Sequence, residues 1–308
     1  NTAVGRQALY SNTTGSNNTA VGYQAGYSAT NGNVTYIGYQ AGQYQTNNNN
    51  TAVGLGAMSG SAGATATNSV AVGQSALSNA TSGSYNTGVG FQALIYNTTG
   101  AYNSAFGTQA LYSNTTGNNN TAVGYQAGYN AVSSSYNTSL GFQTLRSQIG
   151  GYNTALGAQA LDGSGTVANN TGTYNTAVGF QSLNNNSSGS YNVALGSSAL
   201  VNNTTASYNT AVGYQAVYSG NGADITAVGY QAGYSNTGDN NTYYGFRAGR
   251  STTSGTEIIA VGRDALYANT TGSYNIAIGS ESLRSNTTAN NNTAVGYQAL
   301  YSNTTASE

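Results

Sequence analysis

The chain has 308 residues and contains no Cys, His, Pro or Trp, one Met, six basic residues that are all Arg, and seven acidic residues, for a net charge of −1. Charged residues make up 4% of the chain, against about a quarter in an ordinary soluble protein. Without Cys or His there is no zinc site, thiol nucleophile, haem ligation or Ser-His-Asp triad, and no metal or cofactor is expected. Six Arg in a near-neutral chain are too few to neutralise a nucleic-acid backbone. No apolar run approaches the ~18 residues of a membrane span. No secretion signal or initiator Met is visible, so the expectation is a mature or excised segment.

A short phrase recurs along the whole chain, first as Asn1-Thr2-Ala3-Val4-Gly5. Its glycine returns at 22, 38, 54, 73, 90, 107, 124, 141, 157, 179, 196, 213, 229, 245, 262, 279 and 296, making 18 copies at a dominant period of 17. Residues 1–308 therefore read as a single repeat array with no linker or separate domain. Two insertions interrupt the period, Ser59-Gly60-Ser61-Ala62-Gly63 and Asp162-Gly163-Ser164-Gly165. In a stacked array such insertions go to turns.

With the anchor glycine as position 5, position 2 is mostly Thr, replaced by Val70, Val193, Ile259 and Ile276 in four copies. Position 4 is always large and apolar or aromatic. Alternation then predicts a short strand with positions 2 and 4 inward and the small position 3 outward. The expected core column is Val4, Val21, Ile37, Val53, Val72, Val89, Phe106, Val123, Leu140, Leu156, Val178, Leu195, Val212, Val228, Tyr244, Val261, Ile278 and Val295. Position 8, nearly always Ala, and position 9, mostly Leu with Gly in five copies, suggest a second strand. Positions 12–15, often Asn-Thr-Thr-Gly, read as a turn with Gly at positive φ. Frequent Gly, Val, Thr and Asn leave no uninterrupted helix. The expected fold is all-β: a β-solenoid or β-roll of about 18 coils, two short strands each.

In-register stacking places like on like. Asn occupies position 1 in 14 of 18 copies, and stacked amides form ladders. Tyr concentrates at positions 6, 10 and 17, where stacked rings cover area at low entropic cost. At position 7, Arg247, Asp264 and Glu281 follow one another in consecutive coils, predicting a short ion column.

Ser69-Val70-Ala71-Val72-Gly73, Asn192-Val193-Ala194-Leu195-Gly196, Ile258-Ile259-Ala260-Val261-Gly262 and Asn275-Ile276-Ala277-Ile278-Gly279 resemble the S-V-A-I-G motif in the head domains of trimeric autotransporter adhesins. The longer phrase N-T-A-V-G-Y-Q-A-L-Y-S-N-T-T-G is similar to repeat arrays of bacterial and phage tail-fibre-like proteins. The resemblance covers essentially the whole chain. It implies an extracellular or cell-surface homotrimeric left-handed β-roll with positions 2 and 4 in the inner core. The adhesin-head repeat is shorter than 17, and no stalk or anchor is present in this sequence, so a single-chain solenoid and an end-to-end filament stay open.

The acidic residues offer little chemistry. Asp264 and Glu281 would be stacked neighbours, but Arg247 beside them makes an ion column the simpler reading than a glycosidase pair. Asp162-Gly163-Ser164-Gly165 has one carboxylate and no Lys, so it reads as an inserted turn rather than a calcium or phosphate loop. N-x-S/T sequons recur in the turn at Asn12, Asn97, Asn114, Asn186, Asn203, Asn269, Asn286 and Asn303, which marks these Asn as candidate glycosylation sites. The expected function is that of a non-enzymatic extracellular structural protein, a fibre shaft or spacer that associates with itself. The alternatives are an adhesin-type head binding glycans or a surface, and an ice-binding protein. An inward position 2 would hide the Thr array that ice binding needs.

Overall fold

The computed structural model describes residues 1–163 and 169–304. The chain divides into two compact units, Asn1–Tyr152 and Asn153–Glu308. In the first, the strands are β1 (Thr2–Val4), β2 (Thr19–Val21), β3 (Thr35–Ile37), β4 (Thr51–Val53), β5 (Val70–Val72), β6 (Thr87–Val89), β7 (Ser104–Phe106), β8 (Thr121–Val123) and β9 (Thr138–Leu140). In the second they are β10 (Thr154–Leu156), β11 (Thr176–Val178), β12 (Val193–Leu195), β13 (Thr210–Val212), β14 (Thr226–Val228), β15 (Thr242–Tyr244), β16 (Ile259–Val261), β17 (Ile276–Ile278) and β18 (Thr293–Val295). Within each unit every strand pairs in parallel with the next in sequence, position on position: Thr2↔Thr19, Ala3↔Ala20, Val4↔Val21 in β1–β2, and Thr210↔Thr226, Ala211↔Ala227, Val212↔Val228 in β13–β14. Each unit is thus a β-solenoid with one 17-residue copy per coil. The insertion at Ser59–Gly63 is absorbed outside the strands, since β4 and β5 keep Thr51↔Val70 register. β10 and β11 likewise keep Thr154↔Thr176 register across the second insertion, of which Ser164 and Gly165 lie outside the described residues.

Among the described residues there is one strand per coil, not two. The segment after the anchor glycine turns instead, because positions 7 and 9 adopt left-handed φ: Gln92 +56° and Leu94 +53°, for example. These residues direct their N–H groups to neighbouring coils. Gln24 N donates to Arg6 O at 2.9 Å, Leu9 N to Ala25 O at 3.0 Å, and Ser11 N to Tyr27 O at 2.9 Å. Inter-coil hydrogen bonding therefore continues where β geometry has ended. Left-handed φ disfavours a non-Gly residue by ~1–2 kcal/mol, and the inter-coil bonds offset that cost. The position-15 glycines, in contrast with the sequence expectation, are not at positive φ. At Gly100 the demand is for space: a Cβ would lie 2.4 Å from both Asn97 Oδ1 and Gly117 O.

The strand faces are also the reverse of the expected ones. Position 3 points inward and is buried, as at Ala20, Ala71, Ala122, Ala177 and Ala211. The position-4 column (Val4, Val21, Ile37, Val53, Val72, Val89, Phe106, Val123, Leu140, Leu156, Val178, Leu195, Val212, Val228, Tyr244, Val261, Ile278 and Val295) faces out and is exposed or half-exposed throughout. The reason is the thinness of the coil. Opposite the strand lie the buried Ala at position 8 and Leu at position 9. A Cβ placed on Gly88, the position-3 residue of β6, would already sit 3.3 Å from Ala93 O and 3.4 Å from Leu77 Cγ. Where position 9 is Leu, only a small residue fits between walls that close, so Leu fills the interior from the turn side and the β-branched residues go outside.

Two buried Asn ladders complete the interior. At position 1, each side-chain Oδ1 accepts from the backbone N–H of the next coil, as in Asn103 N to Asn86 Oδ1 at 2.9 Å and Asn120 N to Asn103 Oδ1 at 3.0 Å. At position 12, Asn114 Nδ2 donates to Asn97 Oδ1 at 2.8 Å. Both ladders converge on the same carbonyl: Asn86 Nδ2 and Asn97 Nδ2 donate to Gly100 O at 2.7 and 2.9 Å. These bonds satisfy most of the buried amide groups; the Oδ1 atoms of Asn114, Asn203 and Asn286 on the position-12 ladder are buried without a hydrogen-bond partner. The candidate glycosylation asparagines do not lie on an exposed turn. Asn97, Asn114, Asn186, Asn203, Asn269 and Asn286 are fully buried, and Asn12 and Asn303, in the end coils, are half-buried. Their amides serve the interior rather than an exposed turn.

Candidate functional site

Because the Ala column is inside, the outer strand face carries everything else. Position 2 supplies Thr, open or half-open to solvent in every coil, and position 4 supplies the apolar column. Phe106 is 42% exposed, Leu140 43% and Leu195 45%, values that a core residue never shows. Each unit therefore presents nine strands of alternating Thr-type and Val-type side chains in register. Beyond the glycine corner, position 6 adds an exposed aromatic column. Tyr23–Tyr39 stack at 5.1 Å, Tyr125–Phe142 at 5.5 Å, Tyr214–Tyr230 at 5.4 Å and Tyr230–Phe246 at 5.1 Å. The corner itself is a column of glycines with φ between +121° and +140°. Contiguous apolar surface of this kind marks an interaction face.

Other ladders follow the same stacking logic. Position 17 stacks Tyr85 on Tyr102 at 5.0 Å and Tyr191 on Tyr208 at 5.3 Å. Position 7 carries a Gln ladder, with Gln126 Nε2 donating to Gln109 Oε1 at 2.9 Å. In the second unit charges replace part of that ladder, as the sequence predicted. Arg247 grips Asp264 through Nε and Nη2 at 2.9 and 3.0 Å, and Arg263 Nη2 meets Glu281 at 2.5 Å. Asp264 is 2% exposed. The hydrogen bond from Gln298, together with Arg263 and Arg284, holds the Glu281 carboxyl below the usual range. Both carboxylates are thus committed to hydrogen-bonded pairs rather than poised to transfer a proton.

On the turn side of the first unit, a groove of about 610 Å³ is lined by Ser61, Asn79, Thr81, Tyr96, Thr98, Ser113, Thr115 and Val132. The hydroxyls of Thr81, Thr98 and Thr115 donate to carbonyls of the next coil at 2.9–3.0 Å. Their methyl groups are what remains for the groove. The Tyr96 hydrogen bond, with burial as the second cause, pushes the Tyr112 phenol up to about 12.

Among the described residues no group of three or more His, Cys, Asp or Glu could hold a metal ion, and no helix is long and apolar enough to cross a membrane. No family model matches the chain, and no curated protein matches it.

Proposed function

We propose that this is an extracellular structural repeat protein, a fibre shaft or spacer whose copies associate laterally through their strand faces. The observation that carries the reading is the exposed, in-register position-4 column. Leaving Val, Leu, Ile, Phe and Tyr side chains in water forgoes ~1.5–3 kcal/mol for each large one that a partner would cover. A second copy presenting the same columns is the simplest complement. The resemblance to trimeric adhesin heads suggests three copies.

Sedimentation velocity of the full chain tests this. A concentration-dependent trimer is expected, dissociated by Val89→Ser, Val123→Ser and Leu195→Ser together, with the melting curve of the dissociated chain still cooperative. A monomer at every concentration, or an oligomer indifferent to these substitutions, would refute it.

A second reading is ice binding. The outward Thr column, each Thr followed two residues on by an outward Val-type residue, removes the objection that the Thr array is hidden. Thermal hysteresis that disappears on Thr87→Tyr and Thr121→Tyr would favour this reading over self-association; its absence in the unsubstituted chain would eliminate it.

A further inference from the structure

We propose that the position-10 column of the second unit binds an acidic polysaccharide in which uronate residues alternate with neutral sugars. This does not rest on self-association, because position 10 lies on the turn segment rather than the strand face.

The column reads Tyr218, Tyr234, Arg250, Tyr267, Arg284, Tyr301 in consecutive coils. Tyr and Arg alternate from Tyr234 onward, and the structure stacks them. The Arg250 guanidinium carbon lies 5.1 Å from the Tyr234 ring centre and 5.9 Å from that of Tyr267. That of Arg284 lies 5.2 Å from Tyr267 and 5.8 Å from Tyr301. Each guanidinium therefore sits between two rings, held by cation–π attraction. The first unit provides the contrast: Tyr10 stacks directly on Tyr27 at 5.1 Å, with no Arg between.

These two cations have no carboxylate partner of their own among the described residues. Arg250 Nε donates to Gln231 Oε1 at 3.0 Å, and Arg284 Nη1 to the Tyr301 hydroxyl at 3.3 Å. Glu281 feels Arg284 but pairs with Arg263, and Asp264 pairs with Arg247. Four Arg thus surround two carboxylates, leaving two excess positive charges in a chain of net charge −1. Each guanidinium has five N–H donors in a planar fork and has spent one. The remaining edge suits a planar carboxylate. Arg250, Tyr267 and Arg284 are all half-exposed, so the edge is open to a ligand.

Spacing selects the ligand. Arg250 and Arg284 are two rungs apart, about 9.6 Å at ~4.8 Å per strand spacing. An extended glycan advances by close to one rung per sugar. Two carboxylates flanking one neutral sugar then meet the two Arg, while the middle sugar packs against the open edge of Tyr267, whose faces are taken by the guanidiniums of Arg247, Arg250 and Arg284. Two excess charges are too few to hold a nucleic acid at physiological salt.

The test uses the full chain and hyaluronate oligosaccharides in titration calorimetry, with dextran and polyphosphate as comparison probes. Hyaluronate should bind, more weakly as salt rises, and dextran should not. Arg250→Gln and Arg284→Gln should each weaken binding ~10-fold or more, and Tyr267→Ala ~2–10-fold. Arg6→Gln should leave it unchanged. Should a Gln variant melt early, Arg250→Lys and Arg284→Lys keep the charge and lose the fork, and should still weaken binding several-fold. No hyaluronate binding, binding unaffected by the Arg250 and Arg284 substitutions, or equal affinity for polyphosphate would each overturn the proposal.

Discussion

The ring of Tyr36 occupies the space that a side chain at Gly42 would need. A Cβ on Gly42 would lie 2.6 Å from three ring carbons of Tyr36, and one on Gly26, in the coil before, 2.9 Å from Tyr36 Cδ2. The same trio recurs in the second unit as Tyr243 with Gly233 and Gly249. Where position 3 grows from Ala to Tyr, both adjoining position-9 residues shrink from Leu to Gly, keeping the interior volume constant. Tyr36→Ala alone should cost ~3–5 kcal/mol. The triple variant Tyr36→Ala, Gly26→Leu, Gly42→Leu rebuilds the commoner arrangement and should recover more than half of that loss. Urea unfolding of the full series measures it, and simple additivity of the single substitutions would show that the trio is not coupled.

The anchor glycines carry two separate demands, and two of them isolate each. A Cβ on Gly107, at φ +132°, would lie 2.6 Å from Gly124 O, whereas one on Gly296, at φ +126°, meets nothing within 4 Å. Gly296→Ala should therefore show backbone strain alone, ~1–3 kcal/mol. Gly107→Ala should add the loss of coil contact and exceed ~4 kcal/mol. Equal melting temperatures for the two variants would mean that stacking distance is not the constraint.

The position-12 ladder predicts a pH-dependent defect. Asn97→Asp puts a carboxyl against Gly100 O, where the amide had donated. Its native pKa should rise above the unfolded ~3.9, because burial disfavours the charged form. Stability is then retained below about pH 4 and lost as pH rises, by ~2–4 kcal/mol at neutrality. Asn97→Ala should cost less and show no such slope, since Ala80 fills position 12 in the coil before. An Asp variant matching the Ala variant from pH 3 to 7 would contradict the ladder. Peptide mapping after expression in a glycosylating host should likewise find Asn97, Asn114 and Asn203 unmodified.

Burial raises the phenols of Tyr36 and Tyr243 well above the ordinary tyrosine value, and Tyr243 also donates to Asn236 Oδ1 at 3.0 Å. Their contribution is fully present below the unfolded value near ~10 and declines as pH climbs from there toward the raised native value, because the unfolded chain loses these protons first. Phenolate absorbance should show a fraction from Tyr36 and Tyr243 that appears only with unfolding. Tyr36→Phe together with Tyr243→Phe should remove that fraction and move the alkaline unfolding limb upward. A smooth single titration in the folded chain would sink this.

Much of the architecture was legible from residue order alone. The 17-residue period, the three-residue strand before each glycine, the position-1 Asn ladder, the Tyr stacks and the Arg247–Asp264 pair all follow from placing equivalent residues on one another. The position-3 and position-9 exchange was also present in the sequence: Tyr36 and Tyr243 are each bracketed by Gly at position 9. That pairing would have placed position 3 opposite position 9, inside the coil.

Which strand face turned inward was decided only by the tertiary structure. Strict alternation is symmetric, so Thr-Ala-Val reads equally well with either face buried, and burying the larger Val is the ordinary choice. The opposite wall breaks the symmetry. Left-handed backbone at positions 7 and 9 brings Ala93 and Leu77 so near Gly88 of β6 that no β-branched side chain fits between. The same closeness draws Asn97 and Asn114 into the interior, where their sequons are out of reach. Sequence by itself determined the repeat and its ladders; the distance between the two walls of the coil determined what is core and what is surface.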